Sequence, residues 1–317
     1  MLQAVILAAG RGKRLHPITA RRTKAMAPVV GKPIVERVME LFFFLGIRSF
    51  IIVYSPYGQE IVDYFQHNPK INAEINLVSQ PEPLGMAHAL LQAKSLIQGD
   101  FILSACDNLV SIEDVKRFLK YWAEMKPDTL LTSIQAKTKD IPRMGILQLN
   151  GNRVIRIVEK PSLKEAPTNI ASLPLYLFSN AILDNLQRIP LSPRGEYEIQ
   201  DAIQHMIEQG RDVRAVEMTG RRDLTRPKDL LEINLDYLTK SNFTERKPLV
   251  LSGKNTQFVA SFYIEESVTI GSNCQIGPNV YIEHGSTIGD NVNLRNVVIL
   301  RKRKIPSNNR IEDKLIW

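Results

Sequence analysis

Residues 4–15 read AVILAAGRGKRL, an apolar run, Ala4–Ala8, that gives way to two glycines set among cations. A run of that length ending in glycine reads as a buried strand followed by a tight turn. Gly10 and Gly12 let the backbone turn sharply and approach a ligand closely, with amides free to face phosphate oxygens. Arg14 and Lys24 add positive charge suited to the same oxygens. Three readings compete. A dinucleotide fingerprint needs a third glycine where Leu15 stands, and a Walker loop needs glycine at Leu7 and a hydroxyl residue at Arg14. Both are disfavoured. A glycine-rich turn with solvated charges stays open on this stretch alone.

Outward from the turn, residues 1 to about 238 alternate strand-like and helix-like segments. Ile34, Val38, Leu41, Phe42 and Leu45 recur at helical spacing up to Gly46. Strands are predicted at Phe50–Val53, Ile75–Val78, Phe101–Cys106 and Leu130–Gln135, and helices at Gln59–Phe65, Met86–Leu96 and Ile112–Glu124. This rhythm predicts an α/β domain with an open, mostly parallel sheet and helices on both faces. Ligands in such sheets bind beyond the carboxyl ends of the strands, so the turns after Ala8, Val53, Val78 and Cys106 should share one rim.

From about Ser252 the pattern changes. Ile264, Ile270, Ile276, Ile282, Ile288 and Leu294 recur every six residues, and after a one-residue slip Ile299, Ile305 and Ile311 resume the period. Hexapeptide repeats stack short parallel strands into a solenoid with each isoleucine pointing inward. The expected division is a domain at 1–238, a linker at 239–252 and a β-helix at 253–317. So short a solenoid is expected to need neighbours or a partner subunit.

The formal charge is +8, concentrated in Arg11–Lys24 and in the run Arg301-Lys302-Arg303-Lys304. No nucleic-acid module accompanies it, so small anions suit the first cluster better. Cys106 and Cys274 lack zinc or disulfide spacing and read as reduced thiols. The N-terminus lacks the layout of a signal peptide, and the longest apolar stretch, Leu41–Ile47, is too short to cross a bilayer. The expectation is a cytoplasmic protein that binds neither nucleic acid nor membrane.

The stretch LAAGRGKRLHPITARRTKAMAPVVGKPIVE resembles the signature of the sugar-1-phosphate nucleotidylyltransferases, the glucose-1-phosphate thymidylyltransferases and N-acetylglucosamine-1-phosphate uridylyltransferases among them. Further segments resemble the family in order: Gln80-Pro81, Leu84-Gly85-Met86-Ala87-His88-Ala89, Cys106-Asp107-Asn108, Gly145, Glu159-Lys160-Pro161, Arg194-Gly195-Glu196 with Asp201, and Asp223. The resemblance implies a Rossmann-like nucleotidyltransferase domain followed by a short left-handed parallel β-helix. It implies transfer of a nucleotidyl group, from UTP or dTTP, to a sugar 1-phosphate, with release of pyrophosphate. The partners are then a nucleoside triphosphate and a sugar 1-phosphate, the cofactor is Mg²⁺, and a homo-oligomer is expected.

By the same resemblance Arg14, Lys24 and Lys160 are catalytic, gripping the leaving phosphates, the α-phosphate and the sugar phosphate. Leu7, Ala9, Gly10, Gly12, Gln80 and Gly85 bind nucleotide. Gly145, Glu159 and Glu196 bind sugar, and Asp107 and Asp223 hold the metal, a carboxylate set that suits Mg²⁺. Plainer readings stand beside these. On these Asp107 caps the helix near Ile112, Asp223 pairs with Arg221 or Arg222, and Gly85 opens a helix. The family pattern is broken at Lys13, Thr23, Ala25 and Cys106, and most severely at Ser172-Leu173-Pro174-Leu175-Tyr176, where proline removes an amide donor. These changes motivate an alternative, a weakly catalytic subunit that binds nucleotide sugar and regulates a partner through its β-helix.

Overall fold

The computed structural model describes residues 2–67, 72–241, 244–246 and 250–317. The chain forms two compact units, Met1–Arg11 with Val35–Arg222, and Gly12–Ile34 with Asp223–Trp317. These cut the chain along a different line from the expected division. The glycine-rich stretch is split between Arg11 and Gly12, and the signature that follows Gly12 falls in the same unit as the solenoid. Part of the expected linker, residues 242, 243 and 247–249, lies outside the described residues.

The first unit is a nine-stranded sheet. Its strands are β1 (Gln3–Leu7), β2 (Ser49–Tyr54), β3 (Glu74–Ser79), β4 (Phe101–Ala105), β5 (Thr129–Gln135), β6 (Gly145–Asn150), β7 (Arg153–Glu159), β8 (Ile170–Phe178) and β9 (Val213–Glu217). The order across the sheet is β3-β2-β1-β4-β8-β5-β9-β7-β6. The first four are parallel neighbours, which explains their continuous apolar runs: Ala4–Ile6, Phe50–Val53 and Phe101–Leu103 are fully buried, as strands covered on both faces must be. Beyond β4 the sheet is mixed, with β8 antiparallel to both β4 and β5. Helices Met86–Gln92 and Ile199–Glu208 bury Leu90, Ile199, Ile203 and Met206 in one core with Phe101, Tyr176 and Phe178. The predicted helix 86–96 ends early, at Gln92, and a single 3₁₀ turn, Lys94–Leu96, carries the chain on.

Pro174 lies in β8, an interior strand where proline is normally excluded because it cannot donate to the ladder. The pairing with β5 shifts register there: Leu173 faces Thr132, but Tyr176 already faces Leu131. The bulge takes Pro174 out of the ladder. The Thr132 hydroxyl then donates to the Leu175 carbonyl at 2.9 Å, serving an acceptor next to the bulge.

In the second unit the hexads become a parallel β-helix. Leu251 pairs with Thr269 and Thr269 with Thr287, 18 residues per coil; Thr287 then pairs with Lys304, a step of 17 that is the one-residue slip. The other two faces follow Gln257, Gln275, Asn293, Arg310 and Phe262, Val280, Val297, Lys314. Ile264, Ile270, Ile276, Ile282, Ile288, Leu294 and Ile299 are buried in the prism. Asn255, Asn273, Asn291 and Asn308 turn a corner in the left-handed region, which asparagine tolerates better than most side chains.

The signature loop is fastened to this unit by polar side chains. Asn234, on the helix Pro227–Ser241 and fully buried, accepts from the Val30 amide at 2.8 Å and donates to the carbonyls of Pro28 and Leu230. Arg22 and Glu283 form a bidentate pair at 2.8 and 2.9 Å, each side chain 5% exposed. Among the described residues no helix is long and apolar enough to cross a membrane. Both cysteines are buried and unbridged.

Replacing Asn234 removes one acceptor and two donors from a fully buried position. Asn234→Ala should therefore lower stability by about 2–3 kcal/mol, read as a reduced urea midpoint against wild type, since a buried unpaired polar group costs about 1–3 kcal/mol. A loss below about 0.5 kcal/mol, the scatter of surface substitutions, would show that Asn234 does not pin the loop.

Candidate active site

Backbone hydrogen bonds carry the ladder past the ends of the parallel strands. Ala8 N donates to Val53 O at 2.7 Å, Gln80 N to Tyr54 O at 2.7 Å, and Cys106 N to Leu7 O at 3.1 Å. The turns after β1, β3 and β4 thus leave the sheet from one rim, and they bring together Leu7, Ala9, Gly10, Gln80 and Asp107 as the strand pattern required. At Gly10 no protein atom lies within 4 Å of where a Cβ would stand. Packing within the protein does not demand glycine there, and the position is open to approach from outside. A hollow of about 90 Å³ beside it is lined by Ala9, Arg11, Tyr57 and Gln80, among others, and the Arg11 guanidinium sits 5.3 Å above the Tyr57 ring.

Gln80 is buried, and its Nε2 donates to the Gly85 carbonyl at 3.1 Å and lies 3.1 Å from His88 Nδ1. Both amide protons are used inside the protein when Nδ1 accepts, which puts the His88 proton on Nε2. Of the donor and acceptor expected to read a base, the acceptor is the one left for it. Gly85 has φ +99°, and a Cβ there would fall 2.6 Å from the Tyr197 carbonyl. That space belongs to the 196–197 backbone, held by Tyr197 N to Leu84 O and Ala87 N to Tyr197 O. The glycine therefore joins the Gln80 segment to the Arg194-Gly195-Glu196 segment.

Asp107 does not cap the following helix. Ser111 does, its hydroxyl accepting from Asp114 N at 3.0 Å. Asp107 is instead a nearly buried carboxylate just beyond β4. Its neighbour Asn108 is 1% exposed, and neither its Oδ1 nor its Nδ2 has a hydrogen-bond partner among the described residues. A buried amide so placed costs free energy unless water or a ligand engages it. Asn108 was absent from the sequence-derived set; its signal was only its place beside Asp107. The chain then pairs Leu109–Val110 with Arg221–Arg222, the last residues before Asp223.

A carboxylate cluster occupies the antiparallel side of the sheet. Gly145 pairs with Glu159, and a Cβ at 145 would lie 3.0 Å from Glu159 Oε2, so the missing side chain makes room for that carboxylate. Glu159 Oε1 holds Lys160 Nζ at 3.1 Å, while Oε2 is buried without a partner among the described residues. Burial raises the Glu159 carboxyl above the usual range, and the adjacent Lys160 ammonium only partly opposes this. Asp201 is also raised, by burial and then by Glu198. Glu198 is itself buried, receives Arg194 Nη2 at 2.8 Å, and is a second residue that sequence reasoning passed over in favour of the less buried Glu196.

The second unit carries the remaining predicted residues. Gly12 has φ +62°, and a Cβ there would lie 3.0 Å from both Lys24 and Thr19 side chains, so the turn needs glycine. Its carbonyl accepts from the Thr19 hydroxyl and the Leu15 amide, which folds residues 12–19 back on themselves. Arg14 is exposed on a 3₁₀ turn, and Lys24 opens another, half-buried. Asp223 is half-buried and accepts from the Thr225 hydroxyl at 3.0 Å.

Residues 3–240 match the Nucleotidyl transferase family, and residues 258–316 match the GMPPB C-terminal domain. The bifunctional protein GlmU of Methanococcus maripaludis is 34% identical over 242 residues, which are 75% of this chain; the chain spans 55% of that relative's length. The UTP–glucose-1-phosphate uridylyltransferase AglF of Haloferax volcanii is 33% identical over 232 residues, covering 72% of this chain and 93% of AglF. A UDP-glucose pyrophosphorylase complexed with UDP-glucose shares the fold, with a TM-score of 0.69 and 22% identity over 76% of this chain and 99% of that one.

The raised Glu159 carboxyl fixes a sign. A folded-state pKa above the unfolded value near 4.5 gives stability that is full below 4.5 and lost as pH rises through the folded value. Glu159→Gln should therefore melt at a higher temperature than wild type at pH 7, with the gap closing below pH 4.5. A variant that is less stable at pH 7 would contradict the burial argument.

Proposed function

Because the chain belongs to the Nucleotidyl transferase family, we propose that it transfers a nucleotidyl group from UTP or dTTP to a sugar 1-phosphate, releasing pyrophosphate. The observation that carries this reading is the rim itself. A bare glycine turn, a buried acceptor on Gln80 and the Asp107-Asn108 pair leave the same edge of one parallel sheet. The resemblance assigns these segments to triphosphate, base and metal in turn.

The reaction asks for alignment and charge neutralisation more than for covalent help. A sugar-phosphate oxygen attacks the α-phosphorus and pyrophosphate leaves in line. In this reading the amides at Gly10 and Gly12 and the Arg14 guanidinium hold the departing β- and γ-phosphates. Lys24 neutralises the α-phosphate, where charge rearranges. Lys160, steadied by Glu159 Oε1, holds the incoming sugar phosphate. The unpaired Glu159 Oε2 is an acceptor for a sugar hydroxyl, and Glu196 and Gly145 border the same ligand. The Gln80 carbonyl accepts an imino N–H, which uracil and thymine both present. The resemblance assigns Asp107 and Asp223 to Mg²⁺, a carboxylate set whose chemistry suits that ion, and the ion would supply charge neutralisation on the phosphate oxygens. The β-helix is proposed as the contact of a homo-oligomer.

Purified protein with Mg²⁺ should release pyrophosphate from UTP or dTTP when a sugar 1-phosphate is present, assayed across the common nucleoside triphosphates and a panel of sugar phosphates. Lys24→Ala should lower kcat/KM about 10²-fold or more, the order seen when one preorganised charge-stabilising group is removed. Light scattering on the same sample should give a multiple of 35.9 kDa. Tight nucleotide-sugar binding without turnover for any pair would replace the enzyme with a binding subunit.

A further inference from the structure

The second charged run of the sequence, Arg301-Lys302-Arg303, takes no part in the reading above. It forms one wall of a cleft of about 510 Å³ in the second unit. The signature loop from Pro17 to Arg22 and Trp317 line the same cleft. Five cationic side chains line it, Arg21, Arg22, Arg301, Lys302 and Arg303, and no acidic side chain does. Arg22 is neutralised from behind by Glu283, and Arg301 donates from Nη2 to the Arg21 carbonyl. The cleft thus keeps an excess of positive charge in a concave space, at a cost in self-repulsion that a bound anion would relieve.

Arg303 adds an independent sign. Its Nε is buried and has no hydrogen-bond partner among the described residues, although its guanidinium is a fixed fork suited to two phosphate oxygens. Trp317 is 46% exposed, an amphipathic ring of the kind that packs against a sugar or planar group. The volume lies in the range of small-molecule sites. A nucleic-acid backbone would call for an open basic track, and this is a pocket.

We propose that this cleft binds a phosphorylated small molecule and acts as an effector site. Its ligand bridges Arg301–Arg303 on the solenoid to Arg21 on the loop that also carries Arg14 and Lys24. Occupancy therefore stiffens the segment assigned to the triphosphate. Binding stands on the cleft alone; only the effect on turnover rests on the transferase reading.

The test uses full-length protein titrated with inorganic phosphate and with inorganic tripolyphosphate, and follows tryptophan fluorescence. Trp317→Phe retains Trp122 and reports the background. Saturable change is expected in wild type and in Lys24→Ala, with the midpoint raised at least tenfold in Arg301→Gln/Arg303→Gln. Should that double variant not fold, Lys302→Glu, on an exposed side chain, is expected to raise it in the same direction. At sub-saturating nucleoside triphosphate, phosphate should alter the KM for triphosphate in wild type and not in the cleft variants. The proposal fails if potassium chloride at equal ionic strength gives the same change, if the charge variants titrate like wild type, or if Lys24→Ala alone abolishes binding. It fails also if an RNA oligomer binds while phosphate does not. Saturable binding with an unmoved KM would overturn the effector role. Binding without any turnover would count against the transferase and leave the site standing.

Discussion

The contact on which most else depends is the ion pair between Arg22 and Glu283. Both side chains are almost fully removed from water, and the guanidinium meets the carboxylate through two short bonds while the Arg301 amide donates to the same carboxylate at 2.7 Å. Such a pair returns little net stability over apolar packing, because desolvating both charges costs several kcal/mol. Its asymmetry is what matters. Either partner left alone is a buried charge, with a penalty on the order of 3–5 kcal/mol. The pair therefore enforces one arrangement of residues 12–34 against the solenoid. The Asn234 bonds and the seat of Gly31 over the Tyr263 ring, where no Cβ would fit, enforce the same arrangement. The loop that carries Arg14 and Lys24 is thus organised by a β-helix some 260 residues further along the chain.

The sheet unit shows the opposite economy. Its rim and its carboxylate cluster hold groups that are poorly satisfied by the protein: the Asn108 amide, one oxygen of Glu159, and Asp201, which burial and the nearby Glu198 carboxylate both push up. Buried polar atoms without partners are rare and costly, and among the described residues Asn108 and Glu159 carry such atoms within segments that match the family's motifs. The surrounding core, from Leu90 and Phe101 to Ile203 and Met206, holds them in place. Stability is supplied by one set of residues and given up by another, as expected where a site must bind something the protein does not contain.

Much of this was legible in the sequence, for identifiable reasons. Continuous apolar runs marked β1, β2, β4 and β5 because burial on two faces leaves little freedom in composition. The hexads marked the solenoid, including the slip after Leu294, because every sixth residue must fill one prism. Asp107 and the Glu159-Lys160 pair were found through the resemblance. The rest depended on long-range pairing. No local pattern says that Arg22 meets Glu283, that the bulge at Pro174 removes it from the ladder, or that Glu198 is buried more deeply than Glu196. Asn108 stood in the segment that resembles the family but carried no role there, and only its burial shows that both polar atoms lack partners among the described residues.

If the ion pair is what presents the loop, its loss should act on the triphosphate and not on the sugar phosphate. The direct measurement is steady-state kinetics of Glu283→Gln, which keeps the shape of the side chain and removes its charge, with pyrophosphate release followed while each substrate is varied in turn. The account predicts a drop of at least tenfold in kcat/KM for the nucleoside triphosphate with the KM for the sugar 1-phosphate near wild type. A folded Glu283→Gln protein with unchanged kcat/KM for the triphosphate would contradict it.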